Sequence, residues 1–232
     1  MLSIVLVIVA VLAMAAVLAV LAAWWFSSMV AKKAAAALPA KGHFTDVPGG
    51  RVHWVEKGEG PPVVMIHGLA GNLHNFTYAM QERLAAAGYR AIAVDRPGCG
   101  WSERDSDEQA RIPEQARMIA DMLAREGIER PLLVGHSLGG AVSLAIAENH
   151  PEQVGGVALV AALVSAPDAP SAAFAGINIP SPFMRRLVAQ TLAVPMSIRN
   201  GEKTLAIVFG PDPAPADFRT RGGGLLSLRP QA

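Results

Sequence analysis

The residues best equipped for chemistry sit in one short run. LLVGHSLGGAVSLAIA, residues 132–147, contains Gly135-His136-Ser137-Leu138-Gly139, a G-x-S-x-G pattern between a strand-like apolar stretch and a helix-like one. At a sharp strand-to-helix turn a serine is held in strained backbone with its Oγ clear of the sheet, where it can attack a carbonyl carbon. The backbone N–H of Leu138 would face the oxyanion that develops, and Gly135 and Gly139 leave room for strand and helix to approach each other. The pattern alone also fits a glycine-rich turn in which Ser137 merely caps the helix.

A second donor is expected one strand upstream. PPVVMI, residues 61–66, runs into His67-Gly68, and the loop that follows should offer the N–H of Leu69 to the same oxyanion. Each such donor is worth about 2.7–4 kcal/mol in an acyl-transfer transition state. His67 reads as a loop-packing residue, because in this arrangement the base follows the serine in the chain. His136, inside the turn, packs or lines the pocket. His43, His53 and His74 read as strand or loop histidines satisfied locally.

The elements that must position these groups alternate. HFTDV and RVHWVEKG flank Pro48-Gly49-Gly50 and predict a hairpin; 61–66, YRAIAVD (89–95), PLLVG (131–135) and VGGVALVAAL (154–163) predict buried strands. Helical spacing covers 73–87, 112–127 and 138–149, with Gly88 and Gly127 as stops. Strands alternating with helices imply an α/β fold with a mostly parallel sheet covered on both faces. Residues 166–232 break the rhythm with repeated prolines. There PFMRRLVAQTL (182–192) predicts an amphipathic helix, and KTLAIVF (203–209) fits either type.

Composition bounds the function. Twenty Lys+Arg against nineteen Asp+Glu leave a formal charge of +1, unlike the basic excess of a nucleic-acid binder. The lone cysteine, Cys99, excludes an internal disulfide framework and a cysteine-built zinc site. The 52% hydrophobic content has an address. Residues 4–26, IVLVIVAVLAMAAVLAVLAAWWF, carry no charged side chain, and as a helix they span about 34 Å, enough for a hydrocarbon core of about 30 Å. Trp24, Trp25 and Phe26 suit the membrane–water interface. A cleaved signal peptide, with Ala35–Ala37 as its small-residue site, is disfavoured by the run's length and the lack of a preceding Lys or Arg. Residues 1–30 therefore read as an anchor in the lipid bilayer and 31–42 as a juxtamembrane linker. Lys32, Lys33 and Lys41 lean the globular part towards the cytoplasm, with the N-terminus outside.

HGLAGN (67–72), DRPGCGWS (95–102) and GHSLGG (135–140), in this order and on these strands, resemble the α/β-hydrolase fold family of lipase, esterase and haloperoxidase-like enzymes. The resemblance covers about residues 43–165, the core with its first six strands, and only loosely 166–232, which looks like the lid such enzymes insert. It implies a serine that attacks a carbonyl, a histidine that takes its proton and an acid that orients the histidine. It also implies that DRPGCGWS is a structural loop bordering the site. The sequence shows no metal, nucleotide or haem motif, so no cofactor is expected. A serine at the turn disfavours the epoxide hydrolases and haloalkane dehalogenases of this fold, which carry aspartate there.

The base is harder to place. After Ser137 the one histidine is His150, about 18 Å along a twelve-residue helix, too far to reach. Asp168 follows the sixth strand, a position that some members of the fold use for the acid; Asp212 sits among prolines, and both read as lid residues. The expectation is a chain that stops in or just after the lid, inert by itself. The function expected of the whole protein is hydrolysis of small or lipid-like carboxylic esters at the membrane. Two alternatives stand beside it. One is a non-catalytic, membrane-tethered scaffold or binding module; the other is a carbon–carbon bond hydrolase or cofactor-free perhydrolase, which uses the same parts.

Overall fold

The computed structural model describes residues 2–165 and 179–229. These group into two compact units: residues 2–36, 179–214 and 228–229 form one, and 37–165 with 215–227 form the other.

The second unit carries the sheet. Its strands are β1 (His43–Val47), β2 (Gly50–Lys57), β3 (Pro62–Ile66), β4 (Arg90–Val94), β5 (Glu103–Arg104), β6 (Leu132–His136) and β7 (Gly156–Val160). They are ordered β1-β2-β4-β3-β6-β7, with the two-residue β5 pairing to the start of β2. The pairs β4–β3, β3–β6 and β6–β7 are parallel, whereas β1–β2, β2–β4 and β2–β5 are antiparallel. The sheet is therefore mixed, where a mostly parallel one is expected. Two chain reversals account for this: the Pro48-Gly49 hairpin sets β1 antiparallel to β2, and the short connection at 58–61 turns the chain again into β3, to which β4 is parallel, so that β2 and β4 run in opposite directions.

Period-two alternation sorts side chains to the two faces. Val64, Ile66, Ile92, Val94 and Leu133 pack with Met118, Ile119, Met122 and Leu123 of α4 (Ile112–Arg125) and with Val142 and Ile146 of α5 (Leu138–Asn149). Val63, Met65, Ala91, Ala93 and Val134 pack with Leu73 and Phe76 on the other face. The single helix predicted over 73–87 is two short ones, α2 (His74–Thr77) and α3 (Met80–Ala86). The break falls at Ala79, whose φ of −152° is not helical. Beyond it the buried Gln81 side chain donates to the carbonyls of Val55 and Ala91, tying α3 to the sheet.

Residues 215–227, part of the segment expected to form the lid, group with this sheet unit. Asn72 Nδ2 donates to Gly223 O at 2.8 Å, Asn75 Nδ2 to Gly222 O at 2.9 Å, and Tyr78 Oη to Asp217 Oδ1 at 2.7 Å. Side chains of the loop after β3 and of α2 thus hold a segment that has no periodic pattern of its own, which is why its place is not legible from sequence.

The first unit contains α1 (Leu2–Ala37), α6 (Pro182–Val188) and α7 (Val194–Phe209), the last two joined by a π-helical turn at Ala189–Ala193. α1 runs unbroken through Lys32 and Lys33, so most of the expected linker is helix. Its Ala run is made of the strongest helix former, and it stops at Leu38, where the following Pro39 disfavours helical backbone. The ambiguous 203–209 segment is helical. Ser27 Oγ donates to Thr191 O at 3.3 Å, and both residues are buried.

Candidate active site

Ser137 follows β6 directly and precedes the first residue of α5. Its φ of +52° and ψ of −120° lie in a region that side-chain-bearing residues rarely adopt. Such a residue stores about 1–3 kcal/mol of strain and persists only where its surroundings impose it. Here Ser137 N donates to Val160 O at 3.0 Å, and Ser137 O accepts from Gly140 N at 2.9 Å and Leu163 N at 2.9 Å. The side chain makes no helix-capping bond, which sets aside the simple N-cap. The turn is possible because neighbouring backbones touch. A methyl group at Gly139 would collide with the carbonyl oxygens of Ile66 and His67, and one at Gly135 would lie 2.5 Å from Gly140 Cα.

The loop after β3 closes on this turn. A methyl at Gly68 would come within 3.0 Å of both Ser137 Cβ and His136 Nδ1, so Gly68 lies against the serine. The next residue, Leu69, is exposed. Among the described residues neither the N–H of Leu69 nor that of Leu138 donates to any acceptor. The structure thus brings Gly68 against Ser137 and His136, with Leu69 and Leu138 as their chain neighbours and the Ser137 backbone strained.

His67 is fully buried and both ring nitrogens are committed. Nε2 accepts from Arg96 N at 3.0 Å and Nδ1 donates to Gly68 O at 2.8 Å. Burial, helped by the nearby Arg96 charge, pulls its pKa down to about 3. This is a neutral, structural imidazole, in keeping with a packing role. The pKa of His136 is lowered by partial burial. His150 follows the last residue of α5, at the far end of that twelve-residue helix from Ser137. Asp212 lies in the other unit, and Asp168 lies outside the described residues. No imidazole or carboxylate among the described residues hydrogen-bonds to Ser137 Oγ.

One functional neighbour escapes sequence reasoning. His53, expected to be a bland strand residue, is buried with its Nδ1 2.7 Å from Asp95 Oδ2. Asp95 also accepts Leu73 N at 2.7 Å and Trp101 N at 2.9 Å. The carboxylate therefore joins β2, the loop after β3 and the turn of DRPGCGWS. The sequence hints only that Asp95, which follows the buried run Ala91–Val94, needs a partner; it does not say which. Among the described residues no group of three or more His, Cys, Asp or Glu is arranged to hold a metal ion. A depression of about 310 Å³ lined by Ile128, Arg130 and Gln153 sits at the amino end of β6, away from Ser137.

A model of the alpha/beta hydrolase fold family matches residues 61–212. The chain belongs to that family. Curated relatives of this α/β-hydrolase fold chain include haloalkane dehalogenase 2 of Mycobacterium tuberculosis, 34% identical over 126 residues, which are 52% of this chain and 42% of the relative. Another is 2-hydroxy-6-oxo-6-phenylhexa-2,4-dienoate hydrolase of Comamonas testosteroni, 38% identical over 112 residues, 47% of this chain and 39% of the relative. The α/β-hydrolase fold chain thus spans about two fifths of the length of these relatives. Among solved structures, an esterase from Exiguobacterium antarcticum superposes with a TM-score of 0.58 at 23% identity, covering 82% of this chain and 70% of that one. At that identity the likeness bears on the fold alone.

Proposed function

We propose that this chain carries the nucleophile and oxyanion-binding half of a membrane-anchored serine hydrolase acting on carboxylic esters. The observation that carries the reading is Ser137 at φ +52°, packed against Gly68, with the N–H groups of Leu69 and Leu138 making no hydrogen bond among the described residues. Ser137 Oγ attacks the ester carbonyl carbon, and the carbonyl π pair moves onto oxygen. That oxyanion accepts hydrogen bonds from Leu69 and Leu138. The serine proton passes to a base, and the alkoxide leaves protonated as the acyl-serine forms; water then releases the acid. In this reading the base and its orienting acid come from outside the described residues.

The anchor reading draws on α1, whose apolar stretch is long enough to cross a bilayer and whose side chains from Ile4 to Leu21 are exposed. We take it as a single span, with the N-terminus outside and the sheet unit in the cytoplasm. A substrate with a partly apolar acyl or alcohol group fits that placement.

A second reading, hydrolysis of a carbon–carbon bond, is favoured by the likeness to the Comamonas testosteroni enzyme. The elbow serine sets this chain apart from the aspartate that the resemblance implies for dehalogenases.

The test is fluorophosphonate labelling of the protein in its native membranes, with a Ser137→Ala control. A band that depends on Ser137 is expected. Protein present without such a band would overturn the hydrolase reading in favour of a tethered scaffold. If labelling succeeds, short-chain p-nitrophenyl esters and a 2-hydroxy-6-oxo-dienoate, assayed side by side, separate the two reactions.

A further inference from the structure

The carbonyl of Gly68 and the N–H of Leu69 belong to one peptide unit, and in a trans peptide they point in opposite directions. Whatever holds the carbonyl therefore aims the N–H. Gly68 O accepts three hydrogen bonds, from Arg96 Nη2 at 2.9 Å, His67 Nδ1 at 2.8 Å and Gly71 N at 3.2 Å. Arg96 reaches further along the same loop, with its Nε donating to His67 O at 2.9 Å. Its Nη1 donates to Gln115 Oε1 at 2.7 Å, and Gln115 Nε2 donates in turn to Ala110 O at 2.6 Å. The Arg96 backbone N–H donates to His67 Nε2, which fixes the tautomer whose Nδ1–H can serve Gly68. Arg96 is buried, 2% exposed, so these bonds form with little competition from water. The preceding residue, Asp95, holds the other end of the loop through Leu73 N.

We propose that Arg96 is a positioning residue for the oxyanion hole: by fixing the carbonyls of His67 and Gly68 it turns the Leu69 N–H towards the oxygen of an ester bound at Ser137. The proposal rests on the reading of Ser137 as nucleophile. A guanidinium suits the task, because its planar fork serves two adjacent carbonyls from one rigid group. Arg96 touches neither serine nor substrate, so its effect should fall on the rate of bond formation and leave binding alone.

The full chain, reconstituted in lipid nanodiscs, can be labelled with ¹³C-carbonyl glycine and ¹⁵N-leucine. The sequence has Gly–Leu pairs at 68–69 and 224–225, so the Gly68 carbonyl gives one of two signals. Arg96→Met should move that carbonyl resonance upfield, as expected for a lost hydrogen bond, and leave the 224–225 signal in place. In native membranes, where Ser137 labelling is tested, the maximal rate of fluorophosphonylation should fall about 100-fold, as for loss of one oxyanion donor, with the half-saturating probe concentration within threefold. Arg96→Lys should restore part of the rate, and it serves in place of Arg96→Met if the latter does not fold. An unchanged Gly68 resonance, or a labelling rate within threefold of wild type, would overturn the proposal. A wild-type protein that does not label at Ser137 in its native membranes defeats the hydrolase reading itself, a different outcome, visible before any Arg96 variant is made.

Discussion

His53 Nδ1 lies 2.7 Å from Asp95 Oδ2, with both side chains sealed from solvent. The other ring nitrogen, Nε2, lies 2.7 Å from the carbonyl oxygen of Lys41. The pair also links the segment leading out of α1 to the loop that carries Leu69. Trp101 Nε1 adds a bond to Leu38 O at 3.1 Å in the same segment.

Removing Asp95 should be costly out of proportion to its size. Asp95→Ala leaves the His53 ring, Leu73 N–H and Trp101 N–H without their acceptor. Breaking one partner of a buried pair costs about 3–5 kcal/mol. Urea unfolding of the detergent-solubilised protein should show that loss in its midpoint, and a change below about 1 kcal/mol would refute it. His53→Leu combined with Asp95→Asn should cost less than the two single changes added together, because the buried charge goes with its partner.

His67 makes stability fall on the acid side. Its folded pKa is about 3, against 6.5 for a free histidine. Between those values the unfolded chain binds a proton that the folded chain refuses. The contribution is therefore fully present above pH 6.5 and is lost as pH falls towards 3, by up to about 1.4 kcal/mol per pH unit. His67→Asn should be less stable near neutrality yet show a shallower decline over that window. Parallel slopes for the two proteins, measured by denaturant titration at several pH values, would contradict this.

The strain at Ser137 should be visible as stability gained on its release. Ser137→Gly removes the side chain that disfavours φ +52°, and Ser137→Ala does not. The glycine variant should be more stable than the alanine variant by about 1 kcal/mol, net of glycine's entropy in the unfolded chain. Neither should label with fluorophosphonate. Equal melting temperatures for the two variants would mean that the turn is unstrained.

The membrane reading predicts that the protein stays in the pellet after alkaline carbonate extraction. Leu12→Asp, near the middle of the apolar run, should weaken insertion by about 3 kcal/mol and release part of the protein to the supernatant. Full release of the wild-type chain would count against a spanning α1.

Much of this protein is legible in its amino-acid order because the signals are local. Short continuous apolar runs mark the central strands and alternation marks the hairpin strands around Pro48-Gly49, while GHSLG between a strand and a helix marks the turn with Ser137 at its apex. The glycines at 135 and 139 announce a close approach even before its partners are known. The run from Ile4 to Phe26 needs no tertiary context to be read as a long apolar helix.

Other features exist only once distant segments meet. His53 and Asp95 are forty-two positions apart, and although Asp95's place after a buried run calls for a partner, nothing in the sequence names His53. Arg96 becomes the holder of Gly68 because β4 lies beside β3 in the sheet, not because of any spacing between them. Residues 215–227 join the sheet unit through Asn72 and Asn75, which donate to backbone carbonyls, and Tyr78, which donates to the Asp217 carboxylate, and such contacts leave no period in the chain. Local propensity and hydrophobic spacing act within a few residues, so they determine elements and turns. Hydrogen bonds that satisfy buried charges and carbonyls are chosen by proximity across the fold, and only the tertiary structure decides them.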